Sequence, residues 1–67
     1  MRKVLLEGLE NHAKGHIEKH KANVEIYLHA SVGIGEHSDL IAAIEMELDK
    51  IAHYEDQLEV IDKYFKI

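Results

Sequence analysis

Apolar residues recur along the first half of the chain at spacings of three and four residues, with charged residues between them. Placed at 100° per residue, these apolar positions form one stripe, which is typical of an amphipathic helix. We therefore predict a helix over about residues 3–32. The residues of this stripe that we assign to the core are Leu6, Leu9, Ala13, Ile17, Val24 and Tyr27.

The second half shows a 3-4 spacing like that of a heptad repeat. It predicts a second helix over about residues 38–66, and Glu47 takes one position where an apolar residue is expected. No proline interrupts either helix. The core residues predicted from this half are Ile44, Ile51, Tyr54, Leu58, Ile61 and Phe65.

A single break separates the two helices. Gly33 suits the left-handed position that follows a helix, Gly35 adds freedom to the turn, and Ser38 can cap the next helix. With a turn at about residues 33–37, the chain is predicted to be one all-α domain over residues 1–67, an antiparallel two-helix hairpin.

The short length of the chain favours self-association. A core built from 67 residues rarely supplies more than about 3–5 kcal/mol, and the lack of cysteine excludes disulfides. We therefore expect hairpins to associate into a four-helix bundle, as a homodimer or tetramer. Small and apolar residues outside the two stripes form the candidate interface: Gly8, Gly15, Ala22, Ala42, Met46, Val60 and Tyr64. The two helical glycines are either tolerated on an exposed surface or form a groove for a second chain.

The charge distribution argues against nucleic acid as a partner. Residues 1–32 carry +1 and residues 33–67 carry −6, and the basic residues alternate with acids at helical spacings. No apolar run is long enough to span a bilayer, and the start MRKVLL lacks the features of a signal peptide. We expect a cytoplasmic protein with no membrane partner.

Histidines are the other unusual feature. His12, His16 and His20 follow one another at i, i+4 spacing, and His16 and His20 could combine with Glu47 across the hairpin. These three are weak metal candidates, because histidines packed beside carboxylates and tyrosines explain the pattern as well. We predict no catalytic residue and no cofactor, since the chain has no cysteine and its two serines lack an obvious His–Asp partner set.

Three neighbouring segments carry a resemblance to a known group of proteins. They are GHIEKHKANVEIYL, GIGEHSD and IAAIEMELDKIAHYEDQLEVIDKYF. Together they resemble small helical-hairpin proteins of unknown function from tailed phages of marine cyanobacteria, over about residues 5–65. The resemblance implies a setting in the infected host cytoplasm or in the virion, and it implies no activity.

The sequence therefore favours a non-enzymatic oligomeric interaction protein, an accessory or structural protein if it is of phage origin, with a phage or host protein as partner. The alternative is a helical bundle in which the histidines respond to metal or pH. A third hypothesis, an acidic decoy for a nucleic-acid-binding host protein, rests on the −6 half alone.

Overall fold

Two long helices pack against each other in the described part of the chain. A computed structural model describes residues 1–29 and 37–66, with side chains described in the second range from residue 39 onward. α1 spans Arg2–His29 and α2 spans His37–Phe65, and no strand occurs in these two ranges. Side chains near the start of α1 contact the end of α2, so the helices are antiparallel, as the sequence predicted.

The predicted turn lies outside the described residues. Gly33 and Gly35 belong to residues 30–36, and so does the predicted end of the first helix near residue 32. The capping role predicted for the Ser38 side chain also lies outside the described part of the chain. α2 begins at His37, one residue before the predicted start.

A heptad-like seam joins the helices. In both, the positions that face the partner helix alternate between steps of four and three residues. In α1 they are Leu6, Glu10, Ala13, Ile17, His20, Val24 and Tyr27. In α2 they are Leu40, Ile44, Glu47, Ile51, Tyr54, Leu58 and Ile61. All of these side chains are buried or half-buried, so ten of the twelve predicted core residues lie in the seam.

Leu9 and Phe65 differ from the prediction that placed them in the core. Leu9 is 56% exposed and Phe65 is 48% exposed. The seam follows a repeat of 3.5 residues per turn, which brings Glu10 inward and leaves Leu9 beside the seam. Phe65 lies in the last turn of α2, where α1 begins, and its carbonyl oxygen accepts a hydrogen bond from the Arg2 guanidinium.

The seam buries little. In the described ranges, Ala13 is the one buried hydrophobic residue, and no large side chain is fully buried. The Cα atoms extend over 51 × 16 × 11 Å, the shape of a thin rod. Neither described helix is long and apolar enough to cross a membrane. Two helices therefore leave the apolar seam partly open to water.

An ion pair closes the end of the hairpin that holds the termini. The Lys66 ammonium lies 2.7 Å from Glu10 Oε2, and Asp62 Oδ1 lies 4.0 Å from the same ammonium. The bond to Glu10 is the largest cause that raises the pKa of Lys66. Glu10 can thus occupy a position that faces α2, because its carboxylate is paired with the Lys66 ammonium at the edge of the seam.

Candidate functional site

A group of aromatic rings fills one side of the seam at the middle of the hairpin. His12, His16 and His20 lie on successive turns of α1, and Tyr54 reaches them from α2. The ring of Tyr54 stacks on His16 with centroids 4.4 Å apart and planes 9° apart. It is also nearly parallel to His20, and His53 meets it edge-on at 4.9 Å. We call His12, His16, His20, His53 and Tyr54 the histidine band.

The histidines contact one another as well as Tyr54. His12 meets His16 edge-on at 4.5 Å, and His16 lies parallel to His20 at 5.9 Å. The i, i+4 spacing places the three imidazoles on one face, where each packs on the next. The sequence identified this ladder and assigned Tyr54 to the core, but it did not show that Tyr54 would stack against the ladder.

Glu47 anchors the band at its most buried point. His20 Nδ1 donates to Glu47 Oε1 at 2.6 Å, and Asn23 Nδ2 donates to the same oxygen at 2.9 Å. His20 is 5% exposed, and the Glu47 side chain is 15% exposed. The polar residue at an apolar position of α2 is therefore matched by two donors from α1.

These hydrogen bonds determine the ionisation of Glu47. The bond from Asn23 and then the bond from His20 lower the pKa of the Glu47 carboxyl group. The carboxylate is therefore charged at neutral pH and keeps His20 Nδ1 as the donor. Asn23 was not among the predicted site residues, although its place three residues after His20 puts it on the same helix face.

His16 lacks the partner that His20 has. Its Nδ1 is buried and has no hydrogen-bond partner in the described structure. Burial, followed by the nearby charges of His12, Lys19, His20 and Lys50, lowers the pKa of His16. A ring with one nitrogen covered and unpartnered favours the neutral form, because the cation needs a partner for both N–H groups.

An open groove of about 530 Å³ runs along the histidine band. Its walls comprise His16, Lys19, His20, Met46, Asp49, Lys50, His53 and Tyr54. This lining contains two lysines and three histidines but only one carboxylate, so the groove is more basic than the rest of this acidic chain. The side chains of His16 and Lys19 on α1 thus share a side of the hairpin with those of Met46, Lys50 and His53 on α2.

The metal candidates do not form a metal site in the described ranges. No three His, Asp or Glu side chains there are arranged to hold a metal ion. Glu47 binds His20 and Asn23, His16 stacks on Tyr54, and Lys19 and Lys50 add positive charge. The structure thus brings His16, His20 and Glu47 close together, with His20 hydrogen-bonded to Glu47 and His16 packed against the rings of His20 and Tyr54.

The residues of the predicted interface are all exposed but do not share one side. A Cβ atom added at Gly8 or Gly15 would point into open space, with no contact within 4 Å beyond the backbone of its own helix. Gly15 lies on the outer surface of α1 beside Asn11 and Lys19, and its heptad equivalent Ala22 lies on the same outer surface. Met46, with Val60 fourteen residues later, lies on the side of the groove instead. The remaining two members, also exposed, are Ala42 and Tyr64.

Comparisons of the chain with protein-family models, with curated proteins and with solved structures each find no match.

Proposed function

We propose that this chain is a non-enzymatic interaction protein that self-associates into a four-helix bundle and acts by binding another protein. The observation that carries the proposal is the small amount of buried apolar surface in a single hairpin. Twelve large hydrophobic side chains of the described ranges are exposed, among them Leu9, Met46 and Tyr64 at more than half of their area. Burial of these side chains against another chain is the main way in which the hairpin can be stabilised further.

The surface area supports self-association quantitatively. The chain exposes 5281 Å², whereas a compact monomer of this mass is expected to expose about 4,300 Å². The excess of roughly 950 Å² is close to the area of about 800 Å² that each partner buries in a stable protein–protein interface. A second copy of the hairpin would cover an area of this size and complete a bundle of four helices.

The acidic end of α2 is the surface that we assign to another protein. Glu55, Asp56, Glu59 and Asp62 lie within eight residues of each other, and all four are exposed. Such a patch favours a partner with a basic surface, because complementary charge speeds encounter and selects the partner. In the phage setting that the sequence resemblance implies, this partner is a phage or host protein.

Sedimentation equilibrium and far-UV circular dichroism test the self-association. We expect a helical protein that is dimeric or larger at micromolar concentration, because a monomer leaves its apolar surface in water. A monomer of 7.7 kDa that stays fully helical at low micromolar concentration would contradict the proposal.

A second candidate function is a bundle that responds to pH. The specific observation that favours it is the histidine band, in which five rings pack together and His16 has a covered, unpartnered nitrogen. Histidine is the side chain whose charge ordinarily changes near physiological pH, and burial lowers the pKa of His16. This function adds regulation to the interaction protein and leaves its architecture unchanged.

A further inference from the structure

We propose that a second copy of this chain docks on the side of the hairpin that carries the histidine band. The inference rests on the proposed function, because it names the surface through which the bundle forms. We call this side the histidine flank, and it is defined by the groove-lining residues His16, Lys19, Met46, Lys50 and His53 together with their heptad equivalents.

Heptad equivalence extends the flank along both helices. Leu9 lies seven residues before His16, and Val60 lies seven residues after His53, so each occupies the same helix face as its equivalent. In the same way, Ile26 lies one heptad after Lys19, and Tyr64 lies two heptads after Lys50. The exposed fractions of Leu9, Val60, Ile26 and Tyr64 are 56%, 40%, 63% and 57%. The flank therefore presents apolar side chains at both ends of a central band of rings.

The opposite flank is more highly charged. One groove there is lined by Glu10, Lys14, Glu59, Asp62, Lys63 and Lys66 with a single apolar residue, Leu58. Several of these charges already pair within the chain, as in the Lys66–Glu10 bond at 2.7 Å. The centre of a protein interface is depleted of charged residues and enriched in aromatic residues and methionine. The groove of the histidine flank is lined by aromatic rings and Met46, whereas the groove just described and a second one on the opposite flank, with Val24 and Leu48 in its lining, contain neither an aromatic ring nor a methionine.

A second copy is the occupant that accounts for the exposed area. The excess of roughly 950 Å² matches what one partner of a stable dimer buries, and a dimer formed by like faces needs one self-complementary surface. The apolar ends and the central rings give such a surface, since rings can pack on rings and apolar ends on apolar side chains.

This placement makes the dimer sensitive to acid. The charged and titratable groups around the central rings are His12, His16, Lys19 and His20 from α1, and Glu47, Asp49, Lys50, His53 and Tyr54 from α2. Glu47 is bonded to His20, so it compensates that histidine alone. Protonation of His16 adds positive charge beside Lys19 and Lys50, and both copies carry it into the same interface. The dimer should therefore weaken as the pH falls below about 6.5.

A matched pair of variants of the full chain tests the flank. Met46 and Leu48 lie two residues apart on α2 and are 62% and 50% exposed, but Met46 lines the groove of the histidine flank and Leu48 lines a groove with Val24 and Glu25 on the other side. In sedimentation equilibrium at about pH 7.5 we expect Met46→Glu to weaken the dimer at least about tenfold, because it places a charge in the interface. We expect Leu48→Glu to leave the dimer unchanged.

Two further measurements keep the outcomes separate. Circular dichroism checks that both variants remain helical, and Val60→Glu probes the same flank if Met46→Glu does not fold. The wild-type chain at about pH 5.5 should dissociate more readily than at about pH 7.5. A wild-type dimer that neither Met46→Glu nor Val60→Glu weakens, or that Leu48→Glu dissociates instead, overturns the choice of flank. A wild-type monomer at all concentrations overturns the proposed function itself.

Discussion

At the scale of single residues, Glu47 shows how a polar side chain is accommodated in the seam. It stands at an apolar position of the α2 repeat, and two donors on α1 bind its carboxylate. A hydrophobic residue at this position would pack against the seam but would leave the His20 and Asn23 donors without an acceptor. Buried polar groups without a partner are costly, so the three residues act as a unit that specifies the pairing of the helices.

We expect Glu47→Gln to lower the free energy of unfolding at pH 7. The amide keeps the shape of the side chain but replaces a charged acceptor with a neutral one, which forms weaker hydrogen bonds to His20 Nδ1 and Asn23 Nδ2. Urea unfolding followed by circular dichroism measures the change. Glu45→Gln, at an exposed position on the same helix, serves as the control and should behave like the parent.

His16 makes the free energy of unfolding decrease as the pH falls, which is the opposite of the effect of a histidine paired with a carboxylate. Its pKa is lowered in the folded state, so the unfolded chain binds the proton more readily. The contribution of neutral His16 is complete above the ordinary histidine pKa of about 6.5 and decreases as the pH falls below it. The pKa of Glu47 is lowered too, and its contribution is lost only below about 4.3, the ordinary glutamate value.

Unfolding of a His16→Gln variant at several pH values separates these effects. Between about pH 7.5 and 5.5 the parent should lose stability, and His16→Gln should lose less because the titrating ring is absent. His29→Gln is the control, since His29 is exposed at the end of α1. Equal pH slopes for the parent and His16→Gln would show that other groups cause the dependence.

At the scale of the helices, Ala13 determines how closely α1 and α2 approach. It is fully buried, whereas the seam residues on either side of it are larger and only half-buried. A small side chain at the centre of a seam lets the two backbones come together, and the larger residues then pack around it. The close approach also brings Tyr54 within stacking distance of His16.

Ala13→Leu should therefore destabilise the hairpin by about 1–3 kcal/mol, the usual cost of overpacking a tight site. The larger side chain has to push the helices apart or adopt an unfavourable rotamer. Chemical denaturation gives the free energy, and Ala52→Leu, exposed on α2, is the matched control. An Ala13→Leu variant as stable as the parent would contradict the tight packing inferred for this position.

At the scale of the whole molecule, the thin rod and the net charge of −5 have opposing effects on association. The exposed apolar side chains favour contact between copies, and the like charge of the copies opposes it. The balance depends on ionic strength, because salt screens exposed charges and leaves apolar burial intact.

Raising the salt concentration should strengthen self-association. Between about 0.02 M and 0.3 M salt the Debye length falls by a factor of roughly four, which reduces repulsion between two acidic chains. Sedimentation at the two concentrations measures the change in the dissociation constant. If salt weakens the dimer instead, ion pairs between the copies dominate its stability, and the apolar histidine flank is not the main source of affinity.

The sequence by itself determined the two helices and the residues of most of the seam. Apolar residues at steps of three and four fix a helical face, because the helical period is set by local backbone geometry and needs no knowledge of the partner. The sequence also grouped His20 with Glu47, as part of a weak metal candidate, and the structure joins these two side chains by a hydrogen bond of 2.6 Å.

The tertiary structure decided the residues whose surroundings depend on how the second helix approaches. The two hydrogen bonds that Glu47 accepts from His20 and Asn23 depend on how the side chains of the two helices pack against each other. The packing of the helices also leaves Leu9 exposed, brings Glu10 to Lys66, and stacks Tyr54 on His16. Helical periodicity fixes the face of each residue, and only the contact between helices fixes its partner.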